Sequence, residues 1–233
     1  LMLRSLAART EHDGVGVTKR FLAATDFVGK AATMAAPIAN AMNHSGLARG
    51  VMQATLGVAK ARLLPDYAKV RFSKWFRRRA RGGAEGVGGD AAVAEEVAKV
   101  ALFPTCIIEY QQPEIGKDAV AVYEHNGIDV SLPDGLVCCG MPWIDAGDIG
   151  KFKECAQKNV GVLSRAVAEG RDIVVPQPTC GYVLKKEYPD MLGTDEAREV
   201  AAKTFDVCEY LVRRNKEGKL ETEFPGEVHG EIT

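Results

Sequence analysis

Two patterns of apolar spacing divide the chain. Up to about residue 81 the apolar positions recur at helical intervals; after about residue 96, short apolar runs alternate with helical stretches. In the first part Phe21, Leu22, Phe27 and Val28 fall on roughly one face of a first helix, with Asp26 and Lys30 off it. Pro37 breaks or starts a helix, Ser45-Gly46 marks a turn, and a second helix is expected from Leu47 to about Leu63, ended by Pro65. In the second part Lys99–Phe103, Ile128–Leu132 and Asp172–Val175 read as strands. Ile173 to Val175 carries no polar residue, as expected of a buried parallel strand. A helix is expected over Pro113–Asn126, with proline in its first turn, Ile115, Ala119, Val122 and Tyr123 as its apolar face and Gly127 as its stop. Another runs over Asp148–Gly170, with Ile149, Phe152, Ala156, Leu163 and Val167 along one stripe. A short helix over Gly181–Tyr188 is ended by Pro189, and a last one runs from Asp195 to about Asn215 behind a Thr194 cap. This order predicts an α/β fold: a small parallel sheet with flanking helices and right-handed crossovers, preceded by a helical segment.

Between the two parts, residues 82–90 hold five glycines in nine positions, the composition of a flexible linker and the best domain boundary in the chain. The expected organisation is a helical connector over 1–81, a Gly-rich linker over 82–95, an α/β domain over 96–224, and the truncated start of a following domain over 225–233. Just before the linker, Lys69, Arg71, Lys74, Arg77, Arg78, Arg79 and Arg81 stand together without an acid, and Phe72, Trp75 and Phe76 share one helical face among them. Such a helix can lie on an anionic membrane surface or an acidic partner, or it can pack its aromatics on the neighbouring domain and solvate its arginines. Nucleic acid is not an expected partner, because this is the one basic footprint and the formal net charge of the 233-residue chain is -1. Phe21–Met42 is interrupted by Asp26, Lys30 and Pro37, so no stretch reads as a membrane span.

The six cysteines change the picture most. No signal peptide is legible, so a secreted disulfide framework is not expected; in a reducing compartment, clustered cysteines point to metal or redox chemistry. Cys138-Cys139-Gly140 follows a predicted strand, and Cys106 and Cys180 sit in the matching contexts Phe-Pro-Thr-Cys and Gln-Pro-Thr-Cys, each past a strand. In a parallel sheet the loops beyond the strand ends share one edge, where sites form. Four thiols would then converge, although 31 residues lie between Cys106 and Cys138 and 40 between Cys139 and Cys180. Proline ends each strand, and the cysteine enters a turn whose backbone N–H groups favour the metal-binding thiolate. Gly140 lets the backbone approach a bulky group or turn left-handed. The plainer reading is a set of buried thiols. Cys155 and Cys208 lie within predicted helices and are expected to be core thiols, Cys155 being the nearer to the cysteine pair. His12, His44 and His125 read as solvated, His229 lies in the tail, and no Ser/His/Asp set, nucleotide fingerprint or carboxylate pair stands out.

Cys106, Cys138-Cys139-Gly140 and Cys180 at this spacing resemble the cysteine-rich "CCG" domain. That domain occurs in a heterodisulfide reductase subunit, in the iron–sulfur subunit of anaerobic glycerol-3-phosphate dehydrogenase, and in the iron–sulfur subunits of glycolate and lactate oxidases. The context of residues 174–189 is closest to the glycerol-3-phosphate dehydrogenase group. The resemblance covers about residues 97–224, and Lys74-Trp75-Phe76-Arg77 is similar to the connector preceding the domain in that group. It implies an iron–sulfur electron-transfer module with Cys106, Cys138, Cys139 and Cys180 as ligands, a [4Fe–4S] cluster first among the candidates. It implies electrons accepted from a flavoprotein dehydrogenase or a ferredoxin domain and passed to a quinone or a disulfide. The expected location is the cytoplasm, with peripheral contact at the inner face of the cell membrane. Such proteins usually carry a ferredoxin-like domain upstream and a second CCG domain downstream; neither is legible here, and a piece of a longer protein is expected. The chain departs from the full motif, whose terminal Cys-x-x-Cys would place its first cysteine at Gln177. Four thiolates suit an ordinary [4Fe–4S] or [2Fe–2S] centre, and equally a structural zinc ion in a docking domain.

Overall fold

The computed structural model describes residues 2–81 and 97–222. The expected linker and the expected start of a further domain lie outside them. Four strands, β1 (Lys99–Leu102), β2 (Asp129–Ser131), β3 (Asp172–Val175) and β4 (Thr204–Asp206), form one sheet in the order β2-β1-β3-β4, parallel throughout. The α/β expectation holds, with one strand more than the periodicity showed. β4 interrupts what was expected as a single helix from Asp195. Thr204 and Phe205 favour the extended chain, and Asp206 caps the next helix through a reciprocal pair with Glu209, so three residues suffice to pass from helix to strand to helix.

Helices α1 (Met2–Asp13), α2 (Val17–Ala23), α3 (Thr25–Met34), α4 (Ala36–His44) and α5 (Gly46–Leu56) form the amino-terminal layer. α6 (Phe72–Arg81) follows an irregular stretch. Here the sequence misleads at two points. Phe21 and Phe27 do not share a helix, because the chain kinks at Ala24 between α2 and α3. The second helix stops at Gly57, whose left-handed backbone (φ 66°) terminates α5 before Pro65 is reached. Pro37 stands in the first turn of α4 and Ser45 caps α5.

In the sheet domain α7 (Cys106–Tyr110) and α8 (Pro113–His125) lead from β1 to β2, and α9 (Met141–Ala146) and α10 (Ile149–Ala168) lead from β2 to β3. α11 (Pro178–Tyr182), a π-helical turn over Val183–Glu187, α12 (Tyr188–Leu192) and α13 (Asp195–Ala202) lead to β4, and α14 (Val207–Lys216) closes the fold. Pro189 does not end the helix before it. The wide turn bonds Tyr188 N–H to Val183 C=O, five residues back, and Pro189 enters the first turn of α12, where no N–H is required.

The pleat sorts side chains to two cores. Phe103, Ile173 and Val175 point to one face with Phe152, Leu163, Leu184 and Tyr188. Val100, Leu102 and Val174 point to the other with Phe72, Val120, Tyr123 and Tyr210. The buried stripe of α8 is Pro113, Gly116, Val120 and Tyr123; Ile115 and Val122, expected to face the core, are 46% and 45% exposed. The aromatic face of α6 turns inward, Phe72 being fully buried and Phe76 nearly so. Several of its cations are paired: Arg77 with Asp134, Arg79 with both carboxylate oxygens of Glu124, and Arg71 with Glu109. α6 therefore packs on the sheet domain through its aromatic face and its ion pairs. Among the described residues no helix is long and apolar enough to cross a membrane.

Candidate functional site

Each cysteine of the predicted set sits just beyond the carboxyl end of a strand, at one edge of the sheet. After β1, Thr105 accepts a hydrogen bond from Ile108 N–H and so opens α7 with Cys106 as its first residue. After β3, Pro178 starts α11 and brings Cys180 to its third position. After β2, the chain runs through a turn to Cys138 and Cys139, and Gly140 adopts a left-handed conformation (φ 93°) from which α9 begins. A side chain at Gly140 would meet the Phe152 ring at 2.7 Å, so glycine is required there for space as well as for conformation.

These placements join the four thiols in a buried string. Cys106 contacts Cys138, Cys138 contacts Cys139, and Cys139 contacts Cys180. Cys138, Cys139 and Cys180 are buried and Cys106 half-buried. The string divides its protons unevenly. Contacts from the Cys106 and Cys139 thiols, the Thr25 hydroxyl and the Gly140 N–H pull Cys138 down to about 3 against the cost of burial. Cys106, against Cys138 and desolvated, is pushed far up; so is Cys139, held between Cys138 and Cys180. These contacts favour the thiolate at Cys138 over its neighbours. The Thr25 hydroxyl is buried with no hydrogen bond of ordinary geometry, a spare donor beside the sulfur site.

Other groups fix the string in place. Asn159, fully buried on α10, accepts from Val137 N–H and donates to the carbonyls of Val137 and Cys138 and to the Tyr188 hydroxyl. Tyr188 donates in turn to the Cys139 carbonyl at 2.9 Å. Asp26, on α3, accepts from Cys138 N–H at 2.8 Å and from the Tyr110 hydroxyl at 3.0 Å. None of these was singled out from the sequence for the site. Asp26 counted only as a polar interruption of an apolar stretch, and 112 positions separate it from Cys138.

Cys155 lies on the same face of α10 as Phe152, and its β-carbon faces Gly140. It is half-buried, and burial together with the nearby Cys138 and Asp26 charges pushes its thiol up to about 11. Cys208, expected in the core, is exposed at the start of α14, where its N–H bonds to the Asp206 cap. Gln177 presents its carbonyl oxygen to the Cys180 thiol at 3.7 Å. Among the described residues no three His, Cys, Asp or Glu side chains are gathered as a preformed single-ion site requires.

The match to known proteins falls on this edge. Residues 100–185 match the family described as the cysteine-rich domain, CCG. The chain is 31% identical over 191 residues, 81% of its length, to a subunit of the anaerobic glycerol-3-phosphate dehydrogenase of Escherichia coli K12, of which it covers 46%. It is 35% identical over 119 residues to lactate utilization protein A of Geobacillus kaustophilus, an alignment covering 49% of this chain and 48% of that one. It is 29% identical over 124 residues to a subunit of the fumarate reductase (CoM/CoB) of Methanothermobacter marburgensis, covering 53% and 23% of the two. The chain thus spans about half or less of each of these relatives. No solved structure matches it.

Proposed function

We propose that this chain, whose residues 100–185 belong to the cysteine-rich CCG family, is an electron-transfer module of an oxidoreductase complex. Cys106, Cys138, Cys139 and Cys180 are its ligands for an iron–sulfur cluster, most simply [4Fe–4S]. The observation that carries this reading is the meeting of four thiols from three strand ends in one buried string. The donor chemistry fits: four soft sulfurs, with contacts that favour the thiolate at Cys138 and the buried Thr25 hydroxyl beside it. When bound, such a cluster supplies one-electron storage. The chain's own contribution is to hold the sulfurs through Asn159, Tyr188 and Asp26, to exclude water, and to aim donors at sulfur. The relatives named as subunits of a dehydrogenase and a reductase support a partnered role. The electron donor in this reading is a flavoprotein dehydrogenase or a ferredoxin domain, and the acceptor a quinone or a disulfide.

A zinc-stabilised docking domain is the rival. A zinc ion with bonds of about 2.3 Å needs four sulfurs around one point. Iron, zinc and acid-labile sulfide measured on protein purified without oxygen decide between them. Iron with sulfide, lost in a folded Cys139→Ser variant, is expected; zinc without sulfide would replace the electron-transfer reading with the scaffold.

A second reading concerns location and rests on the outer face of α2–α5. Among the described residues, ten of the sixteen large apolar side chains that stand exposed lie between Val17 and Leu63, Met34 at 88% and Leu47 at 83% among them. Residues 14–64 contain Lys19, Arg20, Lys30, Arg49, Lys60 and Arg62 but one acid, Asp26, which is turned to the sulfur site. An exposed apolar face with the exposed cations Lys19, Arg20, Lys60 and Arg62 beside it suits an anionic membrane surface. Sedimentation with vesicles should show binding that rises with the fraction of anionic lipid; equal pelleting with and without vesicles at low salt would dispose of it.

A further inference from the structure

A cleft of about 240 Å³ opens between α3, α6 and the loops after β1 and β2, and both Cys106 and Cys138 line it. Cys139 and Cys180 do not, so among the described residues this cleft reaches one end of the sulfur string only. Its charged lining is uneven. Asp26 is held by Cys138 N–H and Tyr110, and Glu109 by Ser73 N–H, the Ser73 hydroxyl and Arg71. Arg77 is held by Asp134. Lys30 on α3 and Lys158 on α10 also line the cleft, and neither has an acidic partner among the described residues. Two free ammonium groups on separate elements therefore share a concave wall with two of the proposed ligands.

We infer that this cleft is the entry port to the sulfur site for small anionic molecules bearing a carboxylate or phosphate group, held between Lys30 and Lys158. The inference deepens the electron-transfer reading, on which it rests, by giving the chemical class of the reactant that meets the site from this side. A concave site with fixed cations and low-dielectric walls concentrates anions and repels cations. The volume is at the small end for a ligand pocket, which suits a metabolite-sized acid better than a dinucleotide.

Two thiol reagents of equal size and opposite charge, the sulfonatoethyl and trimethylammonioethyl methanethiosulfonates, test the port on the anaerobically purified chain. In each case a cysteine thiolate attacks the reagent's divalent sulfur, the bond from that sulfur to the sulfonyl group breaks, a mixed disulfide forms, and methanesulfinate leaves. Mass spectrometry gives the rate at each cysteine, with exposed Cys208 as the internal reference. The cleft-lining pair, Cys138 and Cys106, should favour the anion over the cation by on the order of tenfold relative to Cys208. The preference should fall toward that of Cys208 in the double variant Lys30→Gln, Lys158→Gln. Equal preference at the pair and at Cys208, or a preference the double variant leaves intact, would overturn the inference. Where bound metal shields the pair from both reagents, the same decision is read from one-electron reoxidation of the reduced protein by ferricyanide and by tris(phenanthroline)cobalt(III). A missing charge preference there counts against the port, while missing iron counts against the cluster and leaves the thiol assay to judge the port alone.

Discussion

The sheet domain buries Phe103, Phe152, Leu163 and Tyr188 almost completely, whereas the helices before it leave Phe27 69%, Met34 88%, Ile38 66% and Leu47 83% exposed. Both parts are helical and apolar enough to make a core, so composition does not explain the contrast. The sheet domain has two faces to cover, and it has α6, α8 and α14 on one and α10 to α13 on the other. The layer α2–α5 has one inner face, and that face is small: Gly29 and Asp26 of α3 touch the sulfur edge or the helix beside it. α3 is thus a joint, with chemistry behind it and an open apolar surface in front. The difference teaches that the site is held from the sheet side by packing and from the helical side by a few specific contacts.

The largest effect is expected on the sheet side. Asn159→Leu removes the acceptor for Val137 N–H and the donors to two carbonyls and to Tyr188, around a side chain that is itself fully buried. Stranding several buried polar groups should cost about 3 kcal/mol or more. A loss of unfolding free energy in urea of less than a third of that would mean the cysteine turns are held by something else. Gly29→Ala should come next, at about 1–3 kcal/mol, because the added methyl would lie 2.4 Å from the Tyr110 ring. The loss should be local: amide exchange should quicken in α2–α5 and stay slow in β1 and β3. Uniform quickening would show that the two regions unfold as one and would break the comparison. Asp26→Asn keeps the shape and loses the charge of the carboxylate that ties α3 to the Cys138 N–H. About 1 kcal/mol is expected, with faster alkylation of Cys138 in metal-free protein as the site's own readout.

The same contrast decides what the sequence made legible. β1, β2 and β3, the helix over Ile149–Ala168 and the gathering of Cys106, Cys138, Cys139 and Cys180 rest on local signals: apolar runs, prolines that end strands, a glycine that lets a chain turn. Parallel topology then carries the loops to one edge without further information. What failed was either too short or too distant to signal. β4 is three residues long and has no glycine or proline beside it. The π-helical turn before Pro189 depends on which carbonyl each N–H finds, which no periodicity encodes. Asp26 serves a cysteine from which it is separated by nearly half the chain, and its local context marks only an interrupted apolar helix. The cations of α6 looked solvated because their partners, Glu109, Glu124 and Asp134, come from the other domain.

The smallest expected effect on stability is the one that most sharpens the comparison. Met34→Glu with Leu47→Glu changes two of the most exposed side chains of the helical layer and touches neither core. Substitutions at such positions usually move stability by no more than about 0.5 kcal/mol each. If the outer face is a docking surface, the same pair should nonetheless abolish most vesicle pelleting, because two new charges would have to enter the headgroup region in place of apolar groups. Stability and docking would then separate cleanly, the first living in the sheet domain and the second in α2–α5. A large drop in the unfolding midpoint would instead show that these side chains are covered in the folded chain in solution. The helical layer would then be a second core, and the apolar face would no longer stand as evidence for a membrane.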